Sequence, residues 1–86
     1  MKVLYSEILY IQDMGAYVDI RTREGRYMTH QSMKNIERLL PDGLFFRVYK
    51  SYLVALDKVT AVYGNLLEID GQKIPIGKSY RVAFLQ

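Results

Sequence analysis

The chain alternates short apolar stretches with turn residues, and only one segment breaks the strand-like rhythm. Ile-Leu-Tyr-Ile-Gln (8–12) is apolar on both faces and β-favouring, the pattern of a strand covered on both sides. Residues 16–23 alternate, with Val18, Ile20 and Thr22 on one face and Asp19, Arg21 and Arg23 on the other. Glu24-Gly25 predicts a turn into Arg-Tyr-Met-Thr-His (26–30), completing a hairpin. The exception is Gln31–Leu40, where Met33, Ile36 and Leu40 recur at helical spacing and Lys34, Glu37 and Arg38 fall off that stripe. Thr29 or Ser32 can cap the start of this helix, and Pro41-Asp42-Gly43 ends it.

Strand patterns resume at 45–50 and 52–56, broken at Lys50-Ser51, and continue at 59–64 and 66–70 around a Gly64-Asn65 turn. Gly71-Gln72 turns the chain into Lys-Ile-Pro-Ile (73–76). Pro75 cannot donate to a ladder, which places that strand at an edge or keeps it short. Residues 79–86 predict a short C-terminal helix with Tyr80, Ala83 and Phe84 facing inward. The pattern is mainly β, with one helix inserted at about 31–40.

Composition changes this picture little. A chain of 86 residues that is half hydrophobic supports one globular domain. It has no cysteine, so disulfides and thiolate metal sites are excluded. The segment 1–13 lacks the pattern of a secretory leader, because Ser6 and Glu7 interrupt its apolar run. The longest apolar run, Tyr52–Leu56, is far short of the ~20 residues of a membrane helix, so a soluble, cytoplasmic protein is expected. Residues 1–44 hold six cations and six anions, whereas 45–86 hold six cations and three anions, so the whole +3 excess lies in the second half. That excess shifts the odds only slightly toward a polyanionic partner.

Catalytic chemistry is poorly supplied. His30 is the only histidine, and at the end of a hairpin it reads as a surface or packing residue. The carboxylates are scattered, many beside glycines or on alternating outer faces, and no phosphate loop, metalloprotease or nucleophile-elbow motif occurs. Neither an enzyme nor a cofactor or metal site is expected. The eight tyrosines could stack bases, but alternation places Tyr10, Tyr52 and Tyr63 in the core, leaving Tyr17 and Tyr49 beside breaks in the pattern. Arg47, Lys50, Lys78 and Arg81 also flank such breaks, where side chains can reach a duplex groove. Composition alone favours ordinary solvated cations at these places.

The order of the pieces shifts that balance. Residues 8–20 (ILYIQDMGAYVDI), 28–59 (MTHQSMKNIERLLPDGLFFRVYKSYLVALDKV) and 74–84 (IPIGKSYRVAF) together resemble the LytTR DNA-binding domain of bacterial response regulators. The likeness covers nearly the whole chain, and the segment around Phe-Phe-Arg-Val-Tyr-Lys-Ser-Tyr-Leu-Val is its most specific part. It implies an elongated fold of small antiparallel sheets whose loops enter major grooves of duplex DNA. In that fold Tyr52, Val54 and Leu56 would return to the core after the Lys50 turn. Carried over by position, Lys50 and Lys78 match base-edge or groove positions. Arg47, Ser51, Ser79 and Arg81 match positions that hold the DNA backbone, and Ala16 or Tyr17 occupies the place of the first loop's reader.

The resemblance further implies a transcriptional output domain cut from a longer two-component regulator, with a receiver domain ahead of it and pairing of domains on repeated promoter half-sites. Two departures stand out: Ala55 occurs where Asn is common, and Gly77-Lys78-Ser79 replaces a Ser-Arg-Arg form, exchanging a bidentate fork for a point charge. These departures and the modest charge leave open an alternative, a protein-interaction or dimerisation module on the same fold.

Overall fold

The computed structural model describes residues 3–84, with Phe84 described in its backbone only. A single 3₁₀ turn, Tyr5–Glu7, leads into β1 (Ile8–Asp13), β2 (Val18–Thr22), β3 (Gly25–Thr29) and α1 (Met33–Leu39). Then follow β4 (Phe45–Tyr49), β5 (Tyr52–Ala55), a 3₁₀ turn at Leu56–Lys58, β6 (Val59–Tyr63), β7 (Leu66–Ile69), β8 (Gln72–Pro75) and α2 (Lys78–Phe84). All strand pairs are antiparallel, in a five-stranded sheet of order β3-β2-β1-β5-β4 and a three-stranded sheet β6-β7-β8. The mainly β, modestly elongated architecture expected from the sequence is what forms, with extents of 35 × 24 × 22 Å.

The large sheet is covered on both faces. Ile8, Ile11, Val18 and Leu53 pack against Met33 and Ile36 of α1, while Leu9, Tyr10, Val48 and Val54 pack against Leu67, Ile69, Ile74 and Ile76. Strict alternation would put Ile8 and Tyr10 on one side. A register shift between Ile8 and Tyr10 instead turns Leu9 and Tyr10 toward the small sheet and leaves Ile8 and Ile11 to α1. This explains why β1 is apolar at every early position.

Turn chemistry sets the small sheet. Ile69 pairs with Gln72 across Asp70-Gly71, both at positive φ (48° and 79°), the conformation a two-residue type I′ hairpin requires. Pro75 lies on β8, an edge strand, where its missing N–H costs no ladder bond. Ser32 caps α1, its hydroxyl accepting a bond from the Asn35 N–H at 3.1 Å. At the first hairpin the turn falls one residue earlier than expected: Thr22 pairs with Gly25, so Arg23-Glu24 is the loop. The Thr22 hydroxyl steadies it by donating to the Gly25 carbonyl and accepting from the Glu24 N–H.

Several placements differ from the sequence reading. Asp19, expected on an outer face, is 1% exposed, because the face of β2 opposite α1 is also covered and its carboxylate draws in Arg26 (3.2 Å) and Arg21 (3.9 Å). Tyr63, expected in the core, is 57% exposed, because the register shift between Val59 and Ala61 sets it opposite Leu66 on the outer face of the small sheet. Leu56 is exposed as well, since the chain leaves the ladder at Ala55 for a 3₁₀ turn. That turn forms without a side-chain cap, Ala55 having none to offer. Ala83, expected to face inward on α2, is exposed; the expectation for the Phe84 side chain lies outside the described residues. No helix among the described residues is long and apolar enough to cross a membrane.

Candidate functional site

Antiparallel pairing brings separate parts of the sequence to one end of the large sheet. β1 ends at Asp13, paired with Val18 at the start of β2, and Gln12 pairs with Tyr52 at the start of β5. The Asp13 N–H donates to the Ser51 carbonyl at 2.9 Å, so the 14–17 loop and the Lys50-Ser51 turn are neighbours. The third segment joins through Gly77, whose N–H donates to the Val48 carbonyl near the end of β4 at 2.7 Å. Ile76 is held in turn by a bond from its N–H to the Asn65 carbonyl of the small sheet. The loop at 14–17, the turn at 50–51 and the start of α2 therefore form one continuous surface.

In the central turn Tyr49 pairs with Tyr52 across Lys50-Ser51, yet neither loop residue has positive φ. Two-residue hairpins favour left-handed residues such as Asn-Gly, and this turn has none. Its carbonyls are held from outside the ladder instead. The Arg47 guanidinium donates from Nε to the Tyr49 carbonyl (3.1 Å) and from Nη2 to the Lys50 carbonyl (2.6 Å), while Asp13 holds that of Ser51. From Nη1, Arg47 also pairs with Glu37 Oε1 of α1 at 2.7 Å. Alternation puts this side chain on the α1 face with its partner Leu53 and sends Val48 into the core of the other face, and the shift in register comes only after it, before Tyr49. Lys50 is left exposed at the tip. Arg47 belongs to the segment's apolar surroundings only in sequence; in space it is the tie behind the turn.

At the start of α2, the Gly77 carbonyl accepts from the N–H groups of Tyr80 and Arg81. A Cβ at Gly77 would stand 3.1 Å from Cδ2 of Tyr80 and 3.4 Å from Cδ1 of Tyr49, so the missing side chain lets α2 close onto the turn. Lys78 and Ser79 are exposed, and Arg81 is half-buried with an Nε that is enclosed and has no hydrogen-bond partner. Behind them Tyr49, Tyr52 and Tyr10 form a chain of tilted rings with centroids 6.2 and 6.0 Å apart. Burial raises the Tyr10 phenol above its ordinary value, a tendency that the nearby Arg21 guanidinium moderates.

The 14–17 loop is closed by a bond from the Met14 N–H to the Tyr17 carbonyl (2.9 Å) and by one from the Gly15 N–H to Asp13 Oδ1 (3.0 Å). Gly15 takes φ 96°, which a side-chain-bearing residue resists. Ala16 is exposed; Tyr17 is half-buried, with its ring edge-on to His30 at 6.1 Å.

Ala16, Tyr17, Lys50, Ser51, Lys78, Ser79 and Arg81 thus lie in the three segments this end gathers, with Arg47 behind them on β4, and their states differ. Lys50, Lys78, Ser79 and Ala16 are exposed, whereas Arg47 has three donors engaged within the protein. Sequence reasoning missed Glu37 and His30 as members of this neighbourhood. His30 could have been found, since it follows a strand whose end must lie beside the first loop; nothing in the sequence ties Glu37 to Arg47. Among the described residues no group of carboxylates and histidine could hold a metal ion. The end therefore offers exposed ammonium groups and hydroxyls to an anionic partner, with aromatic packing behind them.

Comparison with known proteins agrees with this fold. A solved LytTr DNA-binding domain from Bacillus cereus superposes with a TM-score of 0.90 at 26% identity, covering 98% of this chain and 83% of that one. The sensory transduction protein LytT of Bacillus anthracis is 26% identical over 80 residues, 86% of this chain and 32% of that protein. The CO-responsive transcriptional regulator RcoM of Rhodospirillum rubrum is 33% identical over 79 residues, 84% of this chain and 34% of its own length. The chain thus spans about a third of the length of these relatives. The profile of the LytTr DNA-binding domain matches residues 1–86, and the chain belongs to that family.

Proposed function

We propose that this domain binds duplex DNA in a sequence-specific manner and serves as the output domain of a longer, cytoplasmic transcription regulator, without catalysing a reaction. The observation that carries this reading is the gathering of Lys50 and Lys78 at one end of the sheet, tied by the bond between Gly77 and Val48. Two exposed cations, one on a turn and one at the start of α2, can enter a major groove and donate to guanine edges. Ser51, Ser79 and Arg81 stand beside them to hold phosphates, and Ala16 with Tyr17 presents the first loop to the neighbouring groove. The greater length of the relatives supports a further, signal-receiving domain ahead of this one, and two such domains would pair on repeated half-sites.

Substitution of the lysines tests the reading. Lys50→Ala or Lys78→Ala should each cost roughly 1–3 kcal/mol on the preferred duplex and much less on a random one. Equal losses on both duplexes would show that these lysines only neutralise phosphates. A partner surface that binds protein instead would be insensitive to both duplexes and would depend weakly on salt.

A further inference from the structure

The Lys50-Ser51 turn lacks the residues that stabilise a two-residue hairpin by themselves, and its carbonyl groups are nonetheless all engaged. Arg47 supplies two of those bonds and couples them to a carboxylate on a different element, Glu37 of α1. A guanidinium has five donors in a rigid plane. Three are committed here, in an arrangement that fixes the planes of the Tyr49 and Lys50 peptides relative to the helix. A carboxylate accepting at 2.7 Å from a half-buried guanidinium is well placed to hold it there.

We propose that Arg47 is a positioning residue: with Glu37 it fixes the direction in which Lys50 leaves the turn, and so sets DNA selectivity through the protein's own backbone. This rests on the DNA-binding reading above. It assigns Glu37, which does not lie on any of the three gathered segments, a part in specificity. It also separates two jobs that a cation at this position could perform. A phosphate clamp needs only its charge, which lysine retains. A positioning fork needs the planar geometry, which lysine lacks.

The test uses four variants of the 86-residue chain: Arg47→Lys, Arg47→Gln, Glu37→Ala and Glu37→Gln. Amide exchange and ¹⁵N relaxation of the free domain are measured first, because they need no DNA. Arg47→Lys and Glu37→Ala should loosen residues 49–51 while the amides of Val54 and Leu67 keep their protection, which shows that the fold persists. Glu37→Gln keeps an acceptor oxygen and should fall between Glu37→Ala and the parent chain. Unchanged order at 49–51 in both Arg47→Lys and Glu37→Ala would overturn the proposal outright.

Binding to a preferred and a random duplex is then compared over a range of salt. Arg47→Lys should lower the ratio of the two affinities about tenfold, leaving random binding and its salt slope as in the parent chain. If Arg47→Lys binds both duplexes normally while Arg47→Gln loses about one phosphate contact, a slope change near 0.9, Arg47 is a phosphate clamp and the proposal fails. If the parent chain itself prefers no duplex, the DNA-binding reading has failed, and the exchange and relaxation data still decide whether Arg47 and Glu37 position the turn.

Discussion

Leu66 and Leu67 are adjacent on β7, yet truncating them to alanine should have consequences of very different size. Leu67 is fully buried (0% exposed) among Leu9, Val48, Val54 and Ile74, in the layer that fastens the small sheet to the large one. Leu66 is 39% exposed. Leu→Ala at a buried site removes apolar transfer energy and leaves a cavity, together about 2–5 kcal/mol. A domain of 86 residues is stable by only about 4–13 kcal/mol, so Leu67→Ala removes a large fraction of the total. At roughly 4–8 °C per kcal/mol for a domain of this size, Tm should fall by about 8–40 °C. Leu66→Ala, at a site partly open to water, should shift stability by roughly 0.5 kcal/mol. Urea unfolding followed by far-ultraviolet circular dichroism, with a parallel thermal melt, measures both. The two layers also align the start of α2 with the Lys50 turn, so on the DNA-binding reading proposed above Leu67→Ala should weaken DNA selectivity at temperatures where it remains folded. Equal shifts for the two variants, or a loss below about 1 kcal/mol for Leu67→Ala, would refute the packing of the small sheet described here.

Other consequences are local. Ser32→Ala removes the acceptor for the Asn35 N–H and should destabilise the domain by about 0.5–2 kcal/mol, whereas Thr29→Ala should leave the helix cap untouched; urea midpoints distinguish them. Burial raises the Tyr10 phenol in the folded state, so its contribution is fully present below the unfolded value of 10.0 and is lost as pH rises through the higher folded value. Tyr10→Phe should therefore flatten the fall in stability above pH 10, measured as the difference between the two chains' urea midpoints; parallel curves would contradict the burial.

Much of this fold is legible in the sequence because strand alternation, turn residues and the single helical stripe agree with one another. Ser32 and Pro41 bracket α1 for reasons that are entirely local, whereas the last hairpin turns at Asp70-Gly71, one residue ahead of the Gly71-Gln72 read from the sequence. What escaped notice depends on layers that a pattern of twos cannot see. Asp19 alternates like a surface residue, but the face it occupies is covered and two arginines neutralise it there. Tyr63 looks like a core residue, and only the register shift in β6 between Val59 and Ala61 turns it to the outer face. The bulges at Ile8–Tyr10 and Arg47–Tyr49 change which side chains share a face, and each inserts a shift that alternation does not signal. The candidate site shows the same division. Lys50 and Lys78 were marked by breaks in the pattern, whereas the tie from Arg47 to Glu37 joins positions whose proximity is created by α1 folding back over the sheet.

The central claim is that one end of this sheet reads duplex DNA, and selection from a randomised duplex pool followed by anisotropy at several salt concentrations tests it most directly. The account predicts enrichment of a motif made of two spaced repeats, with a slope of log K against log salt near −3.6 if each domain neutralises about four phosphates. A pool that stays random, with weak binding to every duplex, would contradict it.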